Sequence, residues 1–206
     1  MRLGLFGGSF DPPHAGHLEP VRAARERFHL DRVLFLPTAR PPHKTERRQA
    51  PPEARYTMVE LALLKEEGFF ASAHELTPGR PAYTVETLEH FGKHFRGGRP
   101  GDELFLLLGS DSFLNLPSWR RWEELADLAH LIVLTRPGWA GDDLLERLHP
   151  SLRAWLEDGR ASLCEGPAVP LSSTRLREAI RNGETLPEGA VPPLVLDYVG
   201  KYDLYR

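Results

Sequence analysis

The chain has 206 residues and a mass of 23.3 kDa, with 41% hydrophobic and 27% charged residues, enough to bury a substantial core and too apolar for a disordered chain. A formal charge of −3 and a pI near 6.3 exclude a broad basic footprint, so no nucleic-acid partner is expected and any phosphate recognition has to be local. The single cysteine, Cys164, excludes an internal disulfide and reads as a small core residue, and no stretch reaches the ~20 apolar residues of a membrane span, so the expectation is a cytoplasmic protein with no membrane partner.

Taken in chain order, short apolar runs alternate with helical patterns. RLGLFGG at 2 to 8 reads as the first strand and Gly16 to Phe28 as the first helix, where Pro20 predicts a slight kink or a later start. VLFLP at 33 to 37 is the second strand. A Pro-rich stretch from 38 to 55 follows it and reads as a long functional loop rather than a linker, because it joins a strand to its next helix, Pro52 to Glu66. FFASAHEL at 69 to 76, helix Thr84 to Phe95, strand ELFLLLG at 103 to 109, helix Ser118 to Leu128 and strand LIVLT at 131 to 135 continue the alternation. A helical pair over roughly Asp142 to Glu157 precedes a weaker strand near Ala161 to Glu165. Two helices end the chain, Ser173 to Arg181, closed by Asn182-Gly183, and Leu194 to Tyr202.

Near-continuous apolar strands separated by amphipathic helices predict the α/β class: a doubly wound, mainly parallel sheet with helices on both faces. The expected organisation is a single domain over 1 to 206, with a C-terminal helical part from about 172 to 206. Ligands of such sheets bind outside the carboxyl ends of the strands, which puts GGSFDPPH, PTARPPHK, GSDSF and TRPG around one expected crevice.

The stretch GGSFDPPHAGHL at 7 to 18 carries the most chemistry. Gly7 and Gly8 permit a tight turn and close backbone approach to a ligand, and the following helix start aims unpaired N–H groups at an anion. His14 and His17, three apart, can present both imidazoles on one side as donors to a phosphate gaining charge. The stretch is neither G-x-G-x-x-G nor a P-loop. Downstream, LSSTRLREAIRNG at 171 to 183 offers Ser172 or Ser173 as an N-cap, the N–H groups of Thr174 and Arg175, and the guanidinium of Arg177. His90 and His94, four apart on a helix without a supporting carboxylate or cysteine, read as a solvated face and not as a metal site.

The first stretch matches G-[GS]-[ST]-F-D-P-x-H-x-G-H, the signature of the nucleotidyltransferase superfamily that shares H-x-G-H with class I aminoacyl-tRNA synthetases, and SSTRLR resembles its I-S-S-T-x-I-R motif with Leu171 and Leu176 in place of isoleucines. PPHK at 41 to 44, PAYTVETL at 81 to 88 and GSDSFLNLPSWRRWEEL at 109 to 125 resemble segments of the bacterial nicotinate-nucleotide adenylyltransferases, and together the motifs span nearly the whole chain.

That resemblance implies a Rossmann-like nucleotidyltransferase fold and transfer of the adenylyl group of ATP to nicotinate mononucleotide, giving deamido-NAD and pyrophosphate. It implies His14 and His17 as catalytic residues. Gly8, Ser9, Phe10, Gly109, Asp111, Arg136, Ser173, Thr174 and Arg177 join them in binding ATP, with Asp111 on the adenosine side. Lys44 is implied for the mononucleotide phosphate, Trp119 as a plate under the pyridine ring, and Tyr83, Thr84, Val85 and Arg120 around the substrate carboxylate. Mg²⁺ is expected as cofactor, held mainly by the ATP phosphates and not by protein side chains. The same chemistry on nicotinamide mononucleotide or phosphopantetheine, and a non-catalytic nucleotide sensor, stay open as alternatives, as does a homo-oligomer. A synthetase fragment is disfavoured because no K-M-S-K-S-type loop occurs.

Overall fold

Six strands form one sheet in the order β3-β2-β1-β4-β5-β6. They are β1 (Arg2–Gly8), β2 (Arg32–Pro37), β3 (Phe69–Ala71), β4 (Glu103–Gly109), β5 (His130–Thr135) and β6 (Ala161–Glu165). The computed structural model describes residues 1–38, 49–76, 82–96, 101–135, 148–167 and 169–206. The β1–β4, β4–β5 and β5–β6 pairs run parallel, with Arg2 opposite Glu103, Phe105 opposite His130 and Leu131 opposite Ala161. This is the doubly wound arrangement expected for strands that are apolar on both faces, and Leu104 to Leu108 and Leu131 to Leu134 are all buried.

The helices among the described residues are α1 (Ala15–Arg27), α2 (Pro52–Leu63), α3 (Thr84–Arg96), α4 (Ser110–Leu114), α5 (Leu125–Leu128), α6 (Pro150–Glu157), α7 (Ser173–Asn182) and α8 (Pro193–Lys201). None is long and apolar enough to cross a membrane. Two compact units share this frame, interleaved in sequence: one of Met1–Phe6, Pro20–Leu34 and Tyr83–Ala168, the other of Gly7–Glu19, Phe35–Ala82 and Val169–Arg206.

In the first unit the core follows the central strands. Gly4 is required there, because a Cβ on it would lie 2.9 Å from Leu107 Cδ1 and 3.1 Å from Leu30 Cδ1. Trp122 packs its ring 5.5 Å from that of Trp155 on α6 and 5.0 Å from His149. Cys164 is buried, as its type suggested. The second unit has its own core, in which Ala54, Met58 and Ala62 of α2 pack with Val195 and Val199 of α8 and Leu176 of α7. Small residues on α2 let these helices approach closely.

Three expectations need correction, and a fourth falls partly outside the described residues. The strand at 69 to 76 stops at Ala71, and His74–Leu76 form a 3-10 turn. The helix expected over 118 to 128 is broken: α4 begins earlier, at Ser110, 3-10 turns cover Leu116–Ser118 and Trp122–Glu124, and only Leu125–Leu128 is α-helical. Pro117 and the left-handed Arg121, φ 52°, interrupt the helical path. Pro20 does not delay α1, which starts at Ala15 because His14 O accepts both His17 N–H and Leu18 N–H ahead of the proline. The helical pair from Asp142 is seen only as α6 from Pro150, since 142 to 147 lie outside the described residues.

Candidate active site

The turn that follows β1 is shaped by ring packing. Phe10 is fully buried with a left-handed backbone, φ 49°, and its ring lies where a side chain on Gly8 would be, 2.9 Å from the Cβ position. Gly8 is therefore needed to make room for Phe10. The Phe10 ring in turn meets His17 edge-on, with centroids 5.2 Å apart, and packs 5.7 Å from Phe35.

The two histidines lie against each other, ring centroids 3.8 Å apart and planes 36° apart. His14 N–H donates to His17 Nδ1 at 3.2 Å. An acceptor role at Nδ1 assigns the proton of neutral His17 to Nε2, which leaves Nε2–H as the donor. The glycine between them also has a function: a Cβ on Gly16 would sit 2.9 Å from His14 Nδ1 and Cε1. Gly16 thus admits the His14 ring, which is 4% exposed.

Burial lowers the His14 pKa to about 4, so the ring is neutral at pH 7. Between pH 6.5 and about 4 the unfolded chain binds a proton here that the folded chain refuses, so stability rises with pH through this window and is lost as pH falls. Urea unfolding should therefore show up to about 3 kcal/mol more acid loss in the native chain than in His14→Gln between pH 7 and pH 4; equal pH slopes would contradict the neutral, buried His14.

Within the same unit α7 brings the second motif to this turn. Ser172 is the N-cap, accepting Arg175 N–H at 3.3 Å, and Gly183 closes the helix at φ 69°. The Arg175 N–H expected to face a phosphate is consequently spent on the cap. Ser173 Oγ donates to Pro12 O at 3.2 Å. Arg177 Nη1 donates to Asp11 O at 2.8 Å and stands 3.5 Å from Asp11 Oδ2, while Nη2 bonds Thr174 Oγ1 at 3.4 Å. Two motifs more than 150 residues apart in sequence thus meet at Asp11 and Pro12, with only Pro13 between them and His14.

Sequence reasoning passed over three residues that hold this arrangement. Asp11 is 1% exposed, and its Oδ1 accepts Tyr205 O–H at 2.8 Å and Ala50 N–H at 3.1 Å. Arg55, also 1% exposed, donates from Nε to Ala50 O at 3.1 Å and from Nη1 to Ser9 O at 2.8 Å. Asp11 stood in the quoted motif without a role. Arg55 was detectable as a charge within the apolar stripe of α2, beside Ala54, Met58, Val59 and Ala62.

The remaining predicted residues that the structure describes belong to the first unit. Tyr83 precedes α3, and its carbonyl accepts the N–H groups of Glu86 and Thr87 at 2.9 and 3.1 Å. Thr84 and Val85 occupy the first turn, where helix geometry supplies their N–H groups no intrahelical acceptor. The Arg120 guanidinium lies 4.7 Å over the Tyr83 ring, a cation–π contact across the sequence motifs. Trp119 is half-buried and its N–H donates to Leu116 O at 2.8 Å. Gly109 caps α4 with its backbone alone, so the exposed Asp111 carboxylate is not spent on a cap. Lys44 and Arg136 lie outside the described residues, as does the side chain of His94, while His90 is exposed on α3. Among the described residues no group of three or more His, Cys, Asp or Glu side chains could hold a metal ion.

Comparison with known proteins now has a geometry to meet. The cytidylyltransferase-like family matches residues 5–179. A protein of Aeromonas hydrophila named "Probable nicotinate-nucleotide adenylyltransferase" is 40% identical over 99% of this chain and 97% of its own. One of the same name from Thermus thermophilus is 40% identical over the full length of both chains. The solved structure of Plasmodium falciparum nicotinic acid mononucleotide adenylyltransferase complexed with NaAD superposes with a TM-score of 0.76, covering 99% of this chain and 97% of that one. At 19% identity that likeness speaks for the fold. With full-length relatives at 40% identity and the family match over most of its residues, this chain belongs to the cytidylyltransferase-like family and, within it, to the nicotinate-nucleotide adenylyltransferases.

Proposed function

We propose that this chain transfers the adenylyl group of ATP to nicotinate mononucleotide, forming deamido-NAD and releasing pyrophosphate. The observation that carries the reading is the convergence of Ser173 and Arg177 on the carbonyls of Pro12 and Asp11, next to the paired imidazoles of His14 and His17. Hydroxyl, guanidinium and imidazole donors gathered at two helix starts suit a triphosphate.

The 5′-phosphate oxygen of the mononucleotide attacks the α-phosphorus of ATP in line, the α-phosphorus–oxygen bond to the β-phosphate breaks, and no covalent enzyme intermediate is needed. His17 donates from Nε2–H to the α-phosphate as charge develops there, and neutral His14 helps hold the triphosphate. Ser173, Thr174 and Arg177 steady the β- and γ-phosphates. Gly8, Ser9 and Phe10 shape the nucleotide loop, and Gly109, Asp111 and Arg136 serve the nucleotide from the other motifs. Mg²⁺, held mainly by ATP and not by side chains of this chain, would supply charge neutralisation to the leaving pyrophosphate.

On the acceptor side, Lys44 meets the mononucleotide phosphate and Trp119 stacks on the pyridine ring. The Thr84 and Val85 N–H groups face the carboxylate, with Tyr83 and Arg120 beside them. Desolvated donors lose their partner when an amide NH₂ replaces that carboxylate, which selects acid over amide. The test is pyrophosphate release from ATP with nicotinate mononucleotide, nicotinamide mononucleotide and phosphopantetheine offered separately. The expected result is the highest kcat/KM with the nicotinate form. Preference for either other acceptor reassigns the substrate, and ATP binding without release from any of them identifies a sensor.

A further inference from the structure

Tyr205 is the penultimate residue, and nothing in the reaction assigned above uses it. The chain end carries two left-handed non-glycine residues, Asp203 at φ 54° and Tyr205 at φ 73°, a conformation that residues with a Cβ adopt reluctantly. It follows α8 through a turn in which Leu204 N–H donates to Val199 O at 3.0 Å. The result of that turn is to carry the Tyr205 hydroxyl to Asp11 Oδ1, 2.8 Å away, with Met58 Sδ at 3.7 Å. Burial, and after it the Asp11 carboxylate, push the Tyr205 phenol far above its ordinary pKa, so it stays a proton donor.

Packing alone does not explain a tyrosine here, since a phenylalanine ring would fill the same space beside Met58. The hydroxyl matters to Asp11. Oδ1 is held from two directions, by Tyr205 O–H and by Ala50 N–H, which fixes the carboxylate plane and with it Oδ2. Oδ2 faces Arg177 Nη1 at 3.5 Å, and the same Nη1 donates to the Asp11 carbonyl at 2.8 Å. Arg177 Nη2 also donates to Thr174 Oγ1, at the longer distance of 3.4 Å. The aim of this guanidinium is therefore set chiefly by Asp11.

We propose that Tyr205 is a positioning residue for the triphosphate: its hydroxyl fixes the Asp11 carboxylate, and Asp11 holds Arg177 in the pose from which it meets the β- and γ-phosphates. The proposal rests on the role given to Arg177 above.

Steady-state kinetics of full-length Tyr205→Phe, with ATP and nicotinate mononucleotide varied separately, test it. The KM for ATP should rise about tenfold, the size of a lost bond to a charged group, while the KM for the mononucleotide stays within about twofold. In an Arg177→Ala background the same substitution should change kcat/KM for ATP by less than about twofold, because the route it acts through is gone. Met58→Leu alters the packing beside Tyr205 without touching Asp11 and should leave both KM values unchanged. Asp11→Asn keeps an oxygen for Tyr205 and Ala50 but removes the charge facing Arg177; it should show the same dependence on Arg177, and it decides the matter if Tyr205→Phe does not fold. Native ATP kinetics in Tyr205→Phe, equal rises in both KM values, or full additivity with Arg177→Ala would each overturn the proposal. If the native chain releases no pyrophosphate with any acceptor, the assigned reaction has failed instead. Calorimetric titration with ATP then reads the positioning role by itself: tenfold weaker binding in Tyr205→Phe supports it, and unchanged binding overturns it.

Discussion

His17→Ala should lower kcat by at least ~100-fold while leaving the protein folded, because one lost transition-state donor costs about 3–4 kcal/mol. His17 is suited to that role by its neighbours: His14 N–H occupies Nδ1 at 3.2 Å, so the neutral ring keeps its proton on Nε2, and the Phe10 ring edge fixes the plane of the imidazole. In the proposed role these contacts orient the donor before the substrate arrives. Alanine is the best helix former and sits in the first turns of α1, so helix formation is not the property lost. The KM for ATP should move much less than kcat, since a group that acts in the transition state contributes little to the ground-state complex. Near-normal turnover in a folded variant would remove His17 from the chemistry.

Asp11→Ala should give the largest loss of stability. The carboxylate is an ion-pair partner of Arg177 and acts more strongly than Glu53 on the fully buried Arg55. Deleting it takes one of the negative charges acting on the buried Arg55 and an ion-pair partner from Arg177, and it removes the acceptor of Tyr205 O–H and Ala50 N–H as well. Removing one member of a buried ion pair costs roughly 3–5 kcal/mol, which for a chain of this size corresponds to a fall in Tm of roughly 6–20 °C. Asp11→Asn, which retains an acceptor oxygen, should lose distinctly less. A calorimetric Tm for Asp11→Ala within about 2 °C of the native value would mean that the carboxylate is not balancing these charges.

The parts of this arrangement that were legible in the sequence are those written in local spacing. Continuous apolar runs identified β1, β4 and β5 because both faces of those strands are covered. An N-cap at Ser172 or Ser173 and a C-cap at Asn182-Gly183 were legible because an N-cap hydroxyl and a left-handed C-cap leave type-specific marks, and the structure selects Ser172 and Gly183. The region from Ser110 to Leu128 was not: beyond the break at Pro117 the helical pattern resumes, and the left-handed turn at Arg121 that breaks it again leaves no mark of residue type. Arg121 is held there by side-chain contacts with Glu124, three residues on, and with Glu89, 32 residues away, a partner that a local window cannot select.

The same limit applies within the candidate site. His14 and His17 were visible from H-x-G-H, but the reason for its glycine, a Cβ 2.9 Å from the His14 ring, emerges only when the ring is in place. Ser173 and Arg177 were visible as donors, but their contacts with Pro12 and Asp11 span more than 150 residues. The Tyr205–Asp11 bond spans 194. Such pairings are decided by tertiary packing in the second unit, where the core of α2, α7 and α8 sets which chain segments meet.

Adenylyl transfer from ATP to nicotinate mononucleotide fixes the product stoichiometry, which a single incubation reads out. Purified protein incubated with ATP, Mg²⁺ and nicotinate mononucleotide, and analysed by chromatography of the nucleotides with a parallel pyrophosphate assay, should yield deamido-NAD and pyrophosphate in equal amounts for every ATP consumed. ATP consumption without deamido-NAD, or no consumption at all, would contradict the account.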